Sequence, residues 1–122
     1  MLPVLLVALG GALGAVARFL VAEFFLRRVG AGFPWGTLFI NVTGCVVIAL
    51  FFAISGTQAL NPNYRYLIPI GFVGAYTTFS TFSLETQRLL ERGAFGAAAA
   101  YVLASNALGL LAIYGGLWLG RR

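Results

Sequence analysis

Histidine and lysine are absent from this 122-residue chain, cysteine occurs once, and only three residues are acidic. Without histidine there is no Ser/His/Asp nucleophile set and no His/Cys cluster of the zinc-binding kind. Without lysine there is no Gly-rich phosphate loop of the type that ends in that residue. Cys45 has no second cysteine to bridge to and lies in an apolar run, so it reads as an inert buried thiol. Enzyme chemistry has almost nothing to work with, and no enzymatic function is expected. Charge is scarce as well: 9% of residues are charged, against about 25% in soluble domains.

Apolar surface is what the chain has in quantity. Hydrophobic residues make up 61% and the mean hydropathy is +0.95. A soluble fold of this length has no interior able to hide that much, so the composition specifies an integral membrane protein. The net charge of +5 comes from eight arginines. All but Arg18 fall in loops and near helix ends, where guanidinium groups anchor to headgroups, so no nucleic-acid partner is expected. The N-terminus lacks a basic leading region and its apolar run continues past Arg18 to Phe25. It reads as a first span rather than a removable signal.

Four spans emerge, at about Leu2–Leu26, Gly36–Ile54, Tyr66–Leu90 and Phe95–Leu119. Gly30, Gly32 and Pro34 mark the first loop, Gly56, Asn61 and Pro62 the second, and Glu91-Arg92-Gly93 a tight third connection. The expectation is one all-α, polytopic, four-helix membrane domain over residues 1–122. Both termini then share a side with Arg65, Arg121 and Arg122, while Arg27, Arg28 and Arg92, with Arg88 nearby, face the other. These near-equal counts give the positive-inside rule no clear orientation. They permit insertion both ways round and pairing of two inverted copies, and a bundle this small needs a second copy to enclose a pathway.

Small residues stripe the helices. Gly10, Gly14 and Arg18 recur at i, i+4, with Ala8, Ala12 and Val16 on the adjoining row. Tyr101, Ser105 and Gly109 form a similar row in the fourth span, continued by Ala112 and Gly116. For the glycines, close helix packing is the expectation. Tyr101 and Ser105 differ, since each carries a hydroxyl to membrane depth.

The third span is the most informative stretch. Tyr66–Leu84 is uncharged, yet Gly71-Phe-Val-Gly-Ala-Tyr-Thr-Thr-Phe-Ser-Thr-Phe-Ser83 puts five serines and threonines in what ought to be a greasy helix. Lipid tails offer those hydroxyls no partners. Two readings stand. Gly71, Gly74, Thr77 and Thr78 break the helix and free carbonyls that suit a hard cation such as sodium. Alternatively the threonines bond back one turn within a packed helix. Phe79 and Phe82, at i, i+3, are either packing or a file of ring edges, whose positive potential attracts an anion without holding it as a full charge does. Asn41 is either helix glue or an amide donor to an anion, and Asn106 is read as packing. Arg18 and Glu85 are candidate vestibule or structural charges; Glu23 with Arg27, and Glu85 with Arg88, have the spacing of local ion pairs.

Three motifs together give the chain a family resemblance: Gly14-Ala-Val-Ala-Arg18, Gly36-Thr-Leu-Phe-Ile-Asn41, and the run Gly71 to Ser83 followed by Leu84-Glu85. They match in order, over the whole length, and the Thr-Thr-Phe-Ser-Thr-Phe-Ser run is highly specific. The chain resembles the bacterial fluoride channel family, also described as camphor-resistance membrane proteins. The resemblance implies a dual-topology, antiparallel homodimer in the bacterial inner membrane, with a broken third helix and passive fluoride efflux. It implies a fluoride pathway of Asn41, Phe79, Ser80, Thr81, Phe82, Tyr101 and Ser105, and a structural Na+ on the backbone carbonyls of Gly74 and Thr77. The nearest rival is a small multidrug exporter, also four-helix, which needs a membrane-embedded carboxylate to exchange protons for drugs. Arg18 at depth in the first span, with Glu23 only near its end, argues against it. A non-transporting scaffold is the rival from a different class.

Overall fold

The structure, a computed structural model, describes residues 1–120; Arg121 and Arg122, counted above toward one side of the membrane, lie outside the described residues. Among the described residues, four helices are long and apolar enough to cross a bilayer: Leu2–Val29, Trp35–Thr57, Tyr66–Glu91 and Phe95–Gly120. Each expected span is present and extends one to three residues beyond the expected end, into the polar flanks.

α1 (Leu2–Val29) starts with a proline in its first turn, where a missing N–H loses no helical bond. It ends at Gly30, whose φ of 74° reverses the chain, after Arg27 and Arg28 have met the carbonyl-rich last turn. α2 (Trp35–Thr57) follows. The third span is composite. Tyr66–Val73 is a wide π-type turn segment containing Pro69, which has no N–H for a regular ladder. One helical turn, α3 (Gly74–Tyr76), leads to Thr77 and Thr78, both extended. α4 (Phe79–Glu91) then resumes. Its end at Gly93, φ 73°, is a Schellman closure: Gly93 N–H meets Leu90 O at 2.9 Å and Ala94 N–H meets Leu89 O at 2.9 Å. α5 (Phe95–Gly120) completes the bundle.

Glycine seams hold the spans together. A Cβ at Gly10 would collide with the Leu67 carbonyl, and one at Gly14 with the Phe72 carbonyl, so α1 lies backbone to backbone against the π segment. Along the α2–α5 seam, Gly116 and Gly120 receive the methyls of Ala49 and Ala53. The row Ala8, Ala12 and Val16 makes no comparable seam. All three are exposed, because the glycine row one step round α1 takes the contact. At one end of the bundle, Leu38, Leu89, Ala98 and Tyr101 form a small core with Phe33 and Phe82 packed against it.

Candidate functional site

The break in the third span is gripped by α2 at three consecutive residues. Thr78 donates its N–H to Asn41 Oδ1 at 2.8 Å, and Asn41 Nδ2 donates to the Thr78 carbonyl at 3.1 Å. The amide of Asn41 thus stands in for a neighbouring peptide group and satisfies the backbone where the helix cannot. A Cβ at Gly44 would strike the Thr77 γ-methyl, so only glycine lets that threonine approach. Tyr76 reaches Thr43: the two hydroxyls are 2.9 Å apart, and since Thr43 also lies 2.7 Å from the Phe39 carbonyl as donor, Tyr76 supplies the proton between them. Thr78 further caps α4, accepting Thr81 N–H at 3.2 Å while its own hydroxyl donates to Thr81 Oγ1 at 3.0 Å.

The broken-helix reading therefore holds, and part of the alternative holds beside it. Thr77 bonds back through its hydroxyl to Val73 O at 2.9 Å, as Ser83 does to Phe79 O at 2.9 Å. In a continuous helix Thr78 N–H would meet the Gly74 carbonyl and Thr81 N–H the Thr77 carbonyl. Asn41 takes the first donor and Thr78 Oγ1 the second. Gly74 and Thr77 are thereby deprived of their regular donors, and neutral carbonyl oxygens of this kind fit a hard monovalent cation.

Glu85 sits one helical stretch beyond the break. Tyr101 donates to its Oε2 at 2.7 Å and Thr37 to its Oε1 at 2.9 Å. Tyr101 is fully buried and Thr37 nearly so, so α2, α4 and α5 converge on one carboxylate. The spacing of Glu85 and Arg88 suggests an ion pair, but none forms. Both carboxylate oxygens point across the bundle to hydroxyls, whereas Arg88 is exposed and, though it lines the same cavity, makes no ion pair with Glu85. The ion pair found among the described residues is Arg27–Glu23, at 3.3 Å on the surface of α1. Arg18 is half-buried on α1 and lines neither of the cavities described next.

One cavity opens on the Glu85 node and a second lies at the break. The first, of about 550 Å³, opens at the α1–α2 loop between Phe25, Trp35, Thr37, Glu85, Arg88 and Arg92. The other, of about 340 Å³, is a groove between α2, the break and α5; Asn41, Thr78, Phe79, Phe82 and Ser105 line it. A file of rings runs between the two. Phe79 and Phe82 have centroids 5.7 Å apart, Phe82 and Tyr101 5.1 Å, and Tyr101 and Phe33 5.6 Å with planes at 78°. Such tilted and edge-on pairs present positive ring edges beside negative faces. Within the groove, Ser105 Oγ is buried and has no hydrogen-bond partner. A buried hydroxyl left unsatisfied is costly, by about 1–3 kcal/mol, so it calls for a partner from outside the chain, whether water, an ion or a second copy.

Five of the expected pathway residues thus come together: Asn41, Phe79, Phe82 and Ser105 on the groove, with Tyr101 joined through its ring contact to Phe82. Ser80 and Thr81 instead turn to the cap, Ser80 Oγ lying 3.2 Å from Thr78 Oγ1. Asn106, read as packing, is exposed instead: it returns its amide to Val102 O of its own helix at 2.8 Å and lines the same groove. Sequence reasoning named Thr78 only as part of the break and missed its bonds to Asn41, and it missed Thr37 and the Thr43–Tyr76 contact. The available signal was the period: Thr37 and Asn41 lie at i, i+4 on one face of α2, as Tyr101 and Ser105 do on α5.

Comparison with known proteins gives one answer. Residues 5–117 match the family described as CrcB-like protein, Camphor Resistance (CrcB). A protein of Acidobacterium capsulatum named fluoride-specific ion channel FluC is 50% identical over 117 residues, covering 95% of this chain and 94% of that protein. Proteins of the same name from Nitrobacter winogradskyi and Rhizobium meliloti are 47% and 46% identical over 119 residues, each covering 97% of this chain and 94% and 95% of theirs. With the match running through all four spans, the break and the Glu85 node, the chain belongs to the CrcB-like family of membrane proteins.

Proposed function

We propose that this protein is a passive, fluoride-selective channel that lowers cytoplasmic fluoride, and is not an enzyme. The observation that carries the reading is Ser105 Oγ, buried and unpartnered in a groove it shares with Asn41, Phe79 and Phe82. Fluoride is small and strongly hydrated, so a path for it must replace water with neutral donors and avoid a charge that would trap it. Ser105 and Tyr101 bring hydroxyls, Asn41 an amide, and Phe79 and Phe82 ring edges. A larger halide fits a ring-lined groove poorly. Fluoride enters cells from acid media as its neutral acid and ionises inside, so a passive path lets the anion leave down its gradient. The names of the relatives support this reading.

The exporter alternative needs a carboxylate free to exchange protons against a cation. Glu85 has both oxygens engaged by hydroxyl donors, and Glu23 pairs with Arg27 near the end of α1, so neither suits that work. The expected assembly is an antiparallel homodimer in the bacterial inner membrane. Phe79 is 79% exposed in the single chain, and the groove it lines needs another surface to close it. The carbonyls of Gly74 and Thr77 would hold one structural Na+ at the dimer axis, shared between the two breaks.

Reconstitution in liposomes with a fluoride electrode tests the proposal. Rapid fluoride release with little chloride release is expected. Proton-coupled uptake of a cationic drug, or no flux of any kind, would overturn it in favour of an exporter or a scaffold.

A further inference from the structure

Three rungs of facing residues ascend the contact between α2 and α5. Thr37 and Tyr101 form the first and meet at Glu85. Asn41 and Ser105 form the second and line the groove. Cys45 and Gly109 form the third, each again four residues further along its helix. Gly109 has no side chain, and a Cβ built there would lie 3.4 Å from Cys45 Sγ, so the sulfur covers the face of α5 that the glycine leaves bare. Cys45 lines the same groove as the unpartnered Ser105 hydroxyl and stays partly accessible. Beyond the third rung, Ala49, four residues past Cys45, meets Gly116, seven past Gly109, and closes the seam with methyl and backbone contact.

Resting on the fluoride-channel reading, we propose that the Cys45 thiol is the third donor station of the anion track, next after Ser105 and last before the Ala49–Gly116 closure. The orphaned Ser105 hydroxyl leaves one polar group in the groove free to bind an occupant. An S–H group is neutral and can donate, though weakly, which suits a station that an anion must leave as easily as it enters. Gly109 leaves the sulfur uncrowded: a Cβ there would lie in ordinary van der Waals contact with it, and only a larger side chain would narrow the groove. On this proposal Cys45 is a working group of the track, where from the sequence alone it reads as an inert buried thiol.

Because Cys45 is the single cysteine, the test needs no background substitutions. Fluoride efflux is compared for the wild-type protein, Cys45→Ala and Cys45→Ser, each checked for an intact oligomer by size exclusion. Cys45→Ala should lose flux about threefold or more, the scale of one weak donor, and Cys45→Ser should match or exceed wild type. In parallel, wild-type protein is treated with methyl methanethiosulfonate, which leaves a methylthio group on the sulfur and releases methanesulfinate, with extent read by mass spectrometry. The labelled protein should be blocked and fluoride should slow the labelling, while Cys45→Ser should be unaffected. Wild-type flux in Cys45→Ala, full flux in labelled protein, or a thiol that stays unreacted on conducting protein overturns the assignment. Should the alanine variant fail to assemble, the labelling arm decides alone. A wild-type protein that passes no fluoride refutes the channel reading instead, a different result from any of these.

Discussion

Phe79 and Phe82 look equivalent in the sequence and are not equivalent in the structure. Phe79 is largely exposed, whereas Phe82 packs on Tyr101 at 5.1 Å against the core. Isoleucine at either position removes ring edges, so both variants should lower fluoride efflux. Phe82→Ile should also lose about 1–2 kcal/mol of stability through the misfit against Tyr101, and Phe79→Ile should lose little in detergent-solubilised monomer. Equal melting shifts for the two would contradict the division. At Glu85, Tyr101→Phe and Thr37→Val each remove one donor to a carboxylate and should each destabilise by about 1.5–3 kcal/mol. A double-mutant cycle between them should show coupling well above 0.5 kcal/mol, since both act through one acceptor. Strict additivity, read by chemical denaturation, would mean the node does not act as a unit. The charged residues also show why sequence misled here. Spacing along one helix suggests Arg88 for Glu85, but the partners that matter lie 48 and 16 residues away, where no local pattern points.

The third span was the most legible of the elements and also the least. Its break could be read from Gly74, Thr77 and Thr78, because weak helix formers and hydroxyls cluster there. The π segment before it escaped notice although Pro69 marks it, since a proline inside an apolar run still passes as a span by length and hydropathy. What sequence could not give is the grip of α2. Asn41, Thr43 and Gly44 bind Thr78, Tyr76 and Thr77 across more than thirty residues; the sequence marks Asn41 as possible helix glue but not what it holds, and Thr43 and Gly44 read alone as ordinary helix. The glycine seams make a sharper prediction than the hydroxyls do. Gly14→Ala drives a methyl into the Phe72 carbonyl, a backbone atom that cannot swing aside. A loss of about 1–3 kcal/mol, or failure to assemble, is expected for it, against almost no change for Gly11→Ala, where the space is open. Similar melting curves for the two would show that α1 is free to shift on the π segment.

For the molecule as a whole, the four spans and their order were legible because apolar length leaves few alternatives, while the partner was not. Long apolar faces, such as Leu103, Leu110, Leu111 and Tyr114 on α5, remain exposed in the single chain and suit lipid or a second copy equally. Sodium provides the test at this scale. If the carbonyls of Gly74 and Thr77 hold the ion between two copies, replacing Na+ with N-methylglucamine should lower the dimer's melting temperature and raise its dissociation, with fluoride flux falling in step. Dimer stability indifferent to sodium removes the ion from the proposed assembly, yet leaves the groove and its donors in place.

The seam between α1 and the π segment also bears on biosynthesis. The first helix leaves the ribosome well before Leu67 and Phe72 exist, and at about 5–20 residues per second it waits several seconds for the carbonyls that Gly10 and Gly14 are shaped to meet. During that interval its glycine stripe lies open to lipid or to any other small-faced helix in reach. A photo-crosslinking side chain at Val7, whose carbonyl borders Gly71, should therefore capture the third span only in nascent chains long enough to have released it; capture of α2 at shorter lengths would reveal an earlier, provisional nesting.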